Sequence, residues 1–368
     1  IDPGACSGKT LFLFPGQGSQ YIGMFEDLYA HFPSIRGWID AFDNIALKIG
    51  FSDLPAILYP PSHGFGEQEL DYVQNSIHKG GIGGLGTILA SQALYSLFKE
   101  LGVRPDAMLG HSNGENTALV ASGTMDLDVD GVIRAISQIQ QISRVAEKDE
   151  TVNGKTVAVS ITNKDAFDKI IQENSSGVYW TMDNCPRQAV LFGKQEVISR
   201  VIERLHQEGG MCTSLPFDIG FHTPLMEQYR KKLRDYYQGE NFSPGHIPLY
   251  SSITCREYPK DPEAMKDLAS RHWTSKVRFR ETIDYLYNQG FQNFIEIGPN
   301  NLLTSFVDDI LRKKKHFAVA SNVKNLSGLL QVQRVIAECF VRGLPVDPEK
   351  LFTRNNLATQ AAAKHKDQ

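Results

Sequence analysis

One short pattern limits the folds open to this chain more than any other. Gly110-His111-Ser112-Asn113-Gly114 satisfies G-x-S-x-G, in which a serine sits on a tight turn between a strand and a helix with its hydroxyl exposed. The flanks supply both elements. Ala107 to Leu109 ends a short apolar strand, and Glu115 to Ser122 reads as a helix stopped by Gly123. Ser112 then lies at the helix N-terminus, where unpaired backbone N–H groups and the helix dipole favour a developing oxyanion.

The rest of the chain arranges itself around that turn. Lys9 to Phe14 is an almost wholly apolar run, the kind of strand buried on both faces of a parallel sheet. Pro15-Gly16-Gln17-Gly18-Ser19-Gln20 follows, placing Gln17 at the strand end where open α/β sheets bind ligands. Residues 23–59 mix aromatic and apolar positions at helical spacing and read as short helices and loops. Gly81 to Gly86 fits G-x-G-x-x-G, but Asp71 to Lys79 is not the apolar strand that a dinucleotide fingerprint requires. That glycine run reads as close backbone packing or the floor of a wide pocket. Apolar spacing predicts a helix over Thr87–Leu101. A second, over Asp130–Lys148, should bury Val132, Ile136, Ile139 and Val145, with Arg134, Gln138 and Gln141 on the opposite stripe.

Between Lys155 and Phe217 the order of elements is β-α-β-β-α-β, the ferredoxin-like arrangement. Residues 150–217 are therefore expected to form a small subdomain inserted into a larger one made of residues 1–149 and 218–345. Residues 346–368 are expected to be a linker or tail. Beyond the insertion, strands at Ile247–Ile253, Asn293–Ile297 and Phe317–Ala320 alternate with helices at Glu281–Gln289, from Leu302, and at Leu326–Arg342. Such alternation implies an α/β fold with a mostly parallel sheet.

Composition narrows the function. A net charge of −4 over 368 residues leaves no basic excess to neutralise phosphates, so nucleic acid is not expected as a partner. No apolar run reaches the ~18 residues of a membrane span, and the first ten residues lack the apolar centre of a signal peptide. The five cysteines (Cys6, Cys185, Cys212, Cys255, Cys339) are scattered and lack metal spacing. They read as reduced thiols in a cytoplasmic protein, and no metal is expected.

Four local patterns coincide: Phe14-Pro15-Gly16-Gln17-Gly18-Ser19-Gln20, Gly110-His111-Ser112-Asn113-Gly114-Glu115, Phe221-His222-Thr223-Pro224-Leu225-Met226 and Glu296-Ile297-Gly298-Pro299. In order and spacing they resemble the acyl-carrier-protein acyltransferase family, which includes malonyl-CoA transacylases and polyketide synthase acyltransferase domains. The resemblance spans about residues 9–345. It implies an α/β-hydrolase-like large domain with a ferredoxin-like insertion. It also implies Ser112 as a nucleophile holding the acyl group as an ester, and His222 as the base that activates it. The backbone N–H groups of Gln17 and Asn113 match the oxyanion hole, and the backbone carbonyl that orients the histidine falls near His272. Asn184 matches a pocket-edge asparagine, and His111 and Phe221 flank the two reactive residues. No resident cofactor is implied. The thioester of CoA or of phosphopantetheine is the substrate, and an acyl carrier protein is the partner. The protein would be a monomer or a domain of a larger synthase.

The departures from the family pattern bear on the substrate. Members that load malonyl groups carry an arginine on the helix after the serine, where it pairs with the free carboxylate. Gln138 stands there in this chain, although an alignment slipped by one turn would bring in Arg134. A neutral residue disfavours dicarboxylic acyl groups. The family's Gln-Pro-Ala-Leu segment is replaced by Gly84-Leu85-Gly86-Thr87, which suggests a roomier pocket, and Asn113 replaces an apolar residue at the mouth. Three functions remain open: acyl transfer of a monocarboxylic group, hydrolysis of stalled acyl groups on carrier proteins, and non-catalytic docking to a carrier protein. The presence of both Ser112 and His222 weighs against the last.

Overall fold

The computed structural model describes residues 8–48, 66, 68, 71, 77 and 82–351. β1 (Lys9–Phe14) is the first apolar run, and all its residues after Lys9 are buried. α1 (Glu26–His31) and α2 (Pro33–Lys48) follow, then α3 (Ile82–Glu100), β2 (Ala107–Gly110), α4 (Gly114–Ala121), β3 (Met125–Asp126) and α5 (Val129–Ala146). The chain then forms β4 (Lys155–Ser160), α6 (Lys164–Glu173), β5 (Val178–Cys185), β6 (Gln188–Gly193), α7 (Gln195–Gln207) and β7 (Cys212–Ser214). It returns through α8 (Glu227–Gln238), β8 (Asn241–Phe242), β9 (Leu249–Ser251), β10 (Arg256–Glu257), α9 (Pro262–Arg271) and α10 (Phe279–Asn288). β11 (Phe291–Pro299), α11 (Leu302–Ile310), β12 (Phe317–Asn322) and α12 (Gly328–Val341) complete it.

The large sheet has the strand order β10-β9-β2-β1-β11-β12, and every pairing is parallel except the edge pair β10–β9. β1 sits at its centre, in register Phe14↔Gly110 with β2 and Leu13↔Glu296 with β11. Parallel strands end on the same edge. The segments after Phe14, Gly110 and Pro299 therefore meet on one rim, which is where such sheets place ligands. The small subdomain is an antiparallel sheet of order β5-β6-β4-β7. Its own core includes Val157, Phe167, Leu191 and Val201. It is stitched to the large one by main chain, Asp183 N–H to Val277 O at 2.8 Å and Val277 N–H to Thr181 O at 2.9 Å.

Several expectations are corrected. α3 starts at Ile82, not Thr87, so Gly83, Gly84 and Gly86 are helical. Glycine in a helix costs ~1 kcal/mol against alanine, but here packing decides: a Cβ on Gly83 would lie 2.4 Å from Gln20 Nε2 and 2.6 Å from Ile77 O. Val145 is 42% exposed; Ile142 and Ala146 take the inward positions at the end of α5. α9 was not expected, although Asp261 followed by Pro262 is a helix-start signal, and Asp261 caps Ala264 N–H at 2.8 Å. Cys185, Cys212, Cys255 and Cys339 are free. Cys6, the segment 49–59, most of the segment 71–81 and the tail after 351 lie outside the described residues.

Candidate active site

Ser112 occupies the turn between β2 and α4 with φ +51°, a left-handed conformation that costs an L-residue roughly 1–2 kcal/mol. The surroundings enforce it. Gly114 N–H and Glu115 N–H close the turn on His111 O and Ser112 O, each at 2.9 Å. Gly114 lies so close to β1 that a Cβ there would come 2.1 Å from Phe14 O. No side chain longer than hydrogen fits, so the second glycine of the pattern is a steric requirement of the elbow.

His222 arrives from beyond the inserted subdomain, and its Nε2 lies 2.8 Å from Ser112 Oγ. It too is left-handed, at φ +62°. Its main-chain N–H donates to Trp273 O at 2.9 Å, and its Nδ1 faces His272 O at 3.0 Å and Ser275 O at 3.2 Å. Carbonyls only accept, so Nδ1 carries the hydrogen and Nε2 presents its lone pair to the serine hydroxyl. Burial, reinforced by the neighbouring His272 and His111 imidazoles, pushes His222 down to about 3. The ring is neutral at physiological pH, the form a base requires.

A cavity of about 590 Å³ opens between the two subdomains, and Ser112, His222, Gln17 and Asn113 line it. Among the hydrogen bonds of the described residues, the backbone N–H groups of Gln17 and Asn113 have no acceptor. The Asn113 side chain turns aside, donating to Gly84 O at 3.2 Å and accepting from Asn116 at 3.1 Å. His111, Asn184, Phe221 and His272 also line the cavity. His111 Nε2 meets Asn184 Oδ1 at 2.7 Å, and Asn184 donates to Gln188 Oε1 at 2.6 Å. That chain of bonds ties the small subdomain to the elbow. Burial pushes His111 down to about 4, against the hydrogen bond that its Nε2–H donates to Asn184, so it too is neutral.

Gln138 stands apart from this group. It lies half-buried on α5, outside the cavity lining, with a buried Oε1 that has no hydrogen-bond partner among the described residues. Nor does Arg134 reach the cavity, since both its Nε and its Nη2 bind Glu240 at 3.1–3.2 Å. No lysine or arginine is among the described lining residues, and the one carboxylate there is Glu147 at the end of α5. Sequence reasoning missed Glu147 and the Ser275 carbonyl, because nothing local announces which distant main chain meets a histidine. Among the described residues no group of three or more His, Cys, Asp or Glu could hold a metal ion. No helix there is long and apolar enough to cross a membrane.

The sequence pattern of the family described as "Acyl transferase domain" matches residues 11–344. The chain belongs to this family. Acyl transfer is accordingly its reaction class. It is 29% identical over 325 residues to the malonyl CoA-acyl carrier protein transacylase of Bacillus subtilis, an alignment covering 85% of this chain and 93% of that protein. It is also 29% identical over 315 residues to a polyunsaturated fatty acid synthase protein of Thraustochytrium. That alignment covers 84% of this chain but spans only 11% of the relative. The structure of MCAT from Streptococcus pneumoniae superposes with a TM-score of 0.71 at 28% identity, covering 90% of this chain and all of that one. Fold, insertion and parallel sheet are those of the acyltransferase domains.

Proposed function

We propose that this acyltransferase moves an uncharged, monocarboxylic acyl group from a CoA or carrier-protein thioester to a phosphopantetheine thiol, through an ester on Ser112. His222 Nε2 takes the hydroxyl proton as Ser112 Oγ attacks the thioester carbon. The backbone N–H groups of Gln17 and Asn113 receive the oxyanion, each such donor contributing ~3 kcal/mol to the transition state. The C–S bond breaks, and His222 returns the proton to the departing sulfur, which leaves as a thiol and restores the neutral imidazole. The incoming thiol then repeats the sequence in reverse, giving its proton to His222 as its sulfur attacks the ester. An acyl carrier protein is the partner that presents that thiol, in keeping with the name of the Bacillus relative.

The observation that carries the choice of acyl group is a cavity around Ser112 without arginine or lysine among its described lining residues, together with the engagement of Arg134 by Glu240. A malonyl group brings a second carboxylate, and burying it without a cation costs several kcal/mol. The test is intact-mass detection of acyl-Ser112 after exposure to a panel of acyl-CoAs, with and without holo carrier protein. Saturated or hydroxylated monoacyl groups should load and persist until the thiol arrives. Stable malonyl loading would overturn the chain preference, and rapid release of free acid without carrier would make the protein a hydrolase.

A further inference from the structure

Ser112 and His222 come from segments 110 residues apart, so something must hold the second segment against the first to a fraction of an ångström. The main-chain carbonyl of His272 orients the His222 ring, and the side chain of the same residue is buried at 1% exposure beneath it. The His272 and His222 rings meet edge to face at 5.1 Å. His272 Nδ1 lies 3.4 Å from Glu115 Oε2, within ion-pair reach but without hydrogen-bond geometry, and neither ring nitrogen has a hydrogen-bond partner among the described residues. Glu115 sits three positions after the nucleophile, in the first turn of α4, and is itself 1% exposed. Its carboxylate also accepts from Ser251 Oγ at 3.0 Å, Ser252 Oγ at 3.2 Å and the Tyr258 hydroxyl. Every one of these partners belongs to the stretch from the end of β9 to α10, which delivers the two carbonyls facing His222 Nδ1.

We infer that Glu115 is a positioning residue for the acyl-transfer reaction: through His272, Ser251, Ser252 and Tyr258 it holds the segment whose carbonyl aligns His222 against the helix that follows Ser112. This rests on the reading of Ser112 and His222 as the acylating pair. The carboxylate is fit for the task. Burial alone would raise Glu115, but the His272 imidazole, Tyr258 and Ser251 outweigh burial and hold it below its ordinary value, ionised at neutral pH. A buried anion with four side-chain partners is a stiff joint, because breaking any contact strands a charge. The joint carries no direct contact with an acyl group, so its loss should slow chemistry and leave binding alone.

The test is the rate of Ser112 acetylation by p-nitrophenyl acetate, followed by intact mass over a range of ester concentrations, in Glu115→Gln, His272→Gln and the double variant. The probe needs neither carrier protein nor the natural acyl chain. Misplacing a reactive group by about 1 Å costs on the order of a hundredfold. The limiting rate should therefore fall tenfold to a hundredfold in each single variant, with the half-saturating concentration unchanged. The double variant should be no slower than the worse single, because both changes break the same tie. Folding of each variant is checked by its thermal transition; if Glu115→Gln does not fold, His272→Gln and Tyr258→Phe decide. Variants that fold and acetylate at the wild-type rate, or whose losses multiply in the double, would overturn the inference. A wild-type protein that leaves Ser112 unlabelled would instead remove the reading of the acylating pair.

Discussion

At β2–α4 and at β11–α11 the chain passes from a parallel strand to a helix over the same edge of the sheet. Each passage holds one residue left-handed, Ser112 at φ +51° and Asn300 at φ +69°, and keeps one carboxylate out of water. What surrounds the carboxylates differs. Glu296 accepts from Leu303 N–H at 3.1 Å, Thr304 N–H at 2.8 Å and Thr304 Oγ at 3.1 Å, all neutral helix-end donors, and burial outweighs them and pushes it up to about 7. Glu115 has an imidazole and three hydroxyls and is pushed down. One junction is a helix cap whose acid is pushed up to about 7. The other joins its acid to the segment whose carbonyls face His222 Nδ1. Backbone strain alone therefore does not mark the reactive turn; strain linked to a second chain segment does.

Removing the proposed nucleophile should separate the two junctions most sharply. In serine–histidine enzymes loss of the serine costs ~10⁶-fold in kcat, so Ser112→Ala should abolish acyl-enzyme formation while the thermal transition stays near that of the parent. Next in size is Gly114→Ala, whose Cβ has no room beside Phe14 O and Pro15 O. It should lose about 3 kcal/mol in denaturant unfolding, at the upper end of overpacking costs, and acylation should fall with it. An unchanged midpoint for Gly114→Ala would show that the elbow yields and that its packing is not what imposes the Ser112 conformation.

How much of this could be read from the residues follows from the range of each interaction. The elbow is local: strand, serine, second glycine and helix follow one another directly, and the sequence carries all of them. The βαββαβ insertion is legible for the same reason, since each strand and helix has its own period. The start of α3 is not, because the glycine at 83, which reads locally as a helix breaker, is called for by its close approach to Gln20 on a distant stretch of chain. Nor is the isolation of Gln138 from the cavity. Helical spacing places it on a stripe, but which stripe faces the cavity depends on how α5 packs, and Arg134 is drawn off by Glu240 on a different element.

The acids at the two junctions should answer pH in opposite senses. The folded-state value of Glu296 lies above its unfolded value, so the protein binds an extra proton when folded. The stability that Glu296 contributes is then fully present below about pH 4.5 and is lost as pH rises toward 7, by on the order of 3 kcal/mol. The folded value of Glu115 is depressed, so its contribution is present above the unfolded value and is lost on acidification. Denaturant unfolding of Glu296→Gln should lose the decline between pH 5 and 7, whatever its absolute stability. A decline that persists in Glu296→Gln would show that the β11–α11 carboxylate is held ionised by its donors, and the contrast with Glu115 would disappear.

The smallest effect probes the backbone itself. Glycine removes the steric cost of the left-handed region but loses more entropy on folding, so the net gain is largest where the native residue tolerates that region least. Ser112→Gly should gain roughly 0.5–1 kcal/mol in unfolding experiments and lose all acylation. Asn300→Gly begins from a residue that adopts this conformation with little penalty, and it gives up a 3.3 Å bond from Asn300 Nδ2 to Ser19 O. Its stability should change by less than ~0.5 kcal/mol, and its acylation rate should match the parent. A larger gain at Asn300 than at Ser112 would reverse the assignment of stored strain, placing it in the scaffold junction and leaving the reactive elbow relaxed.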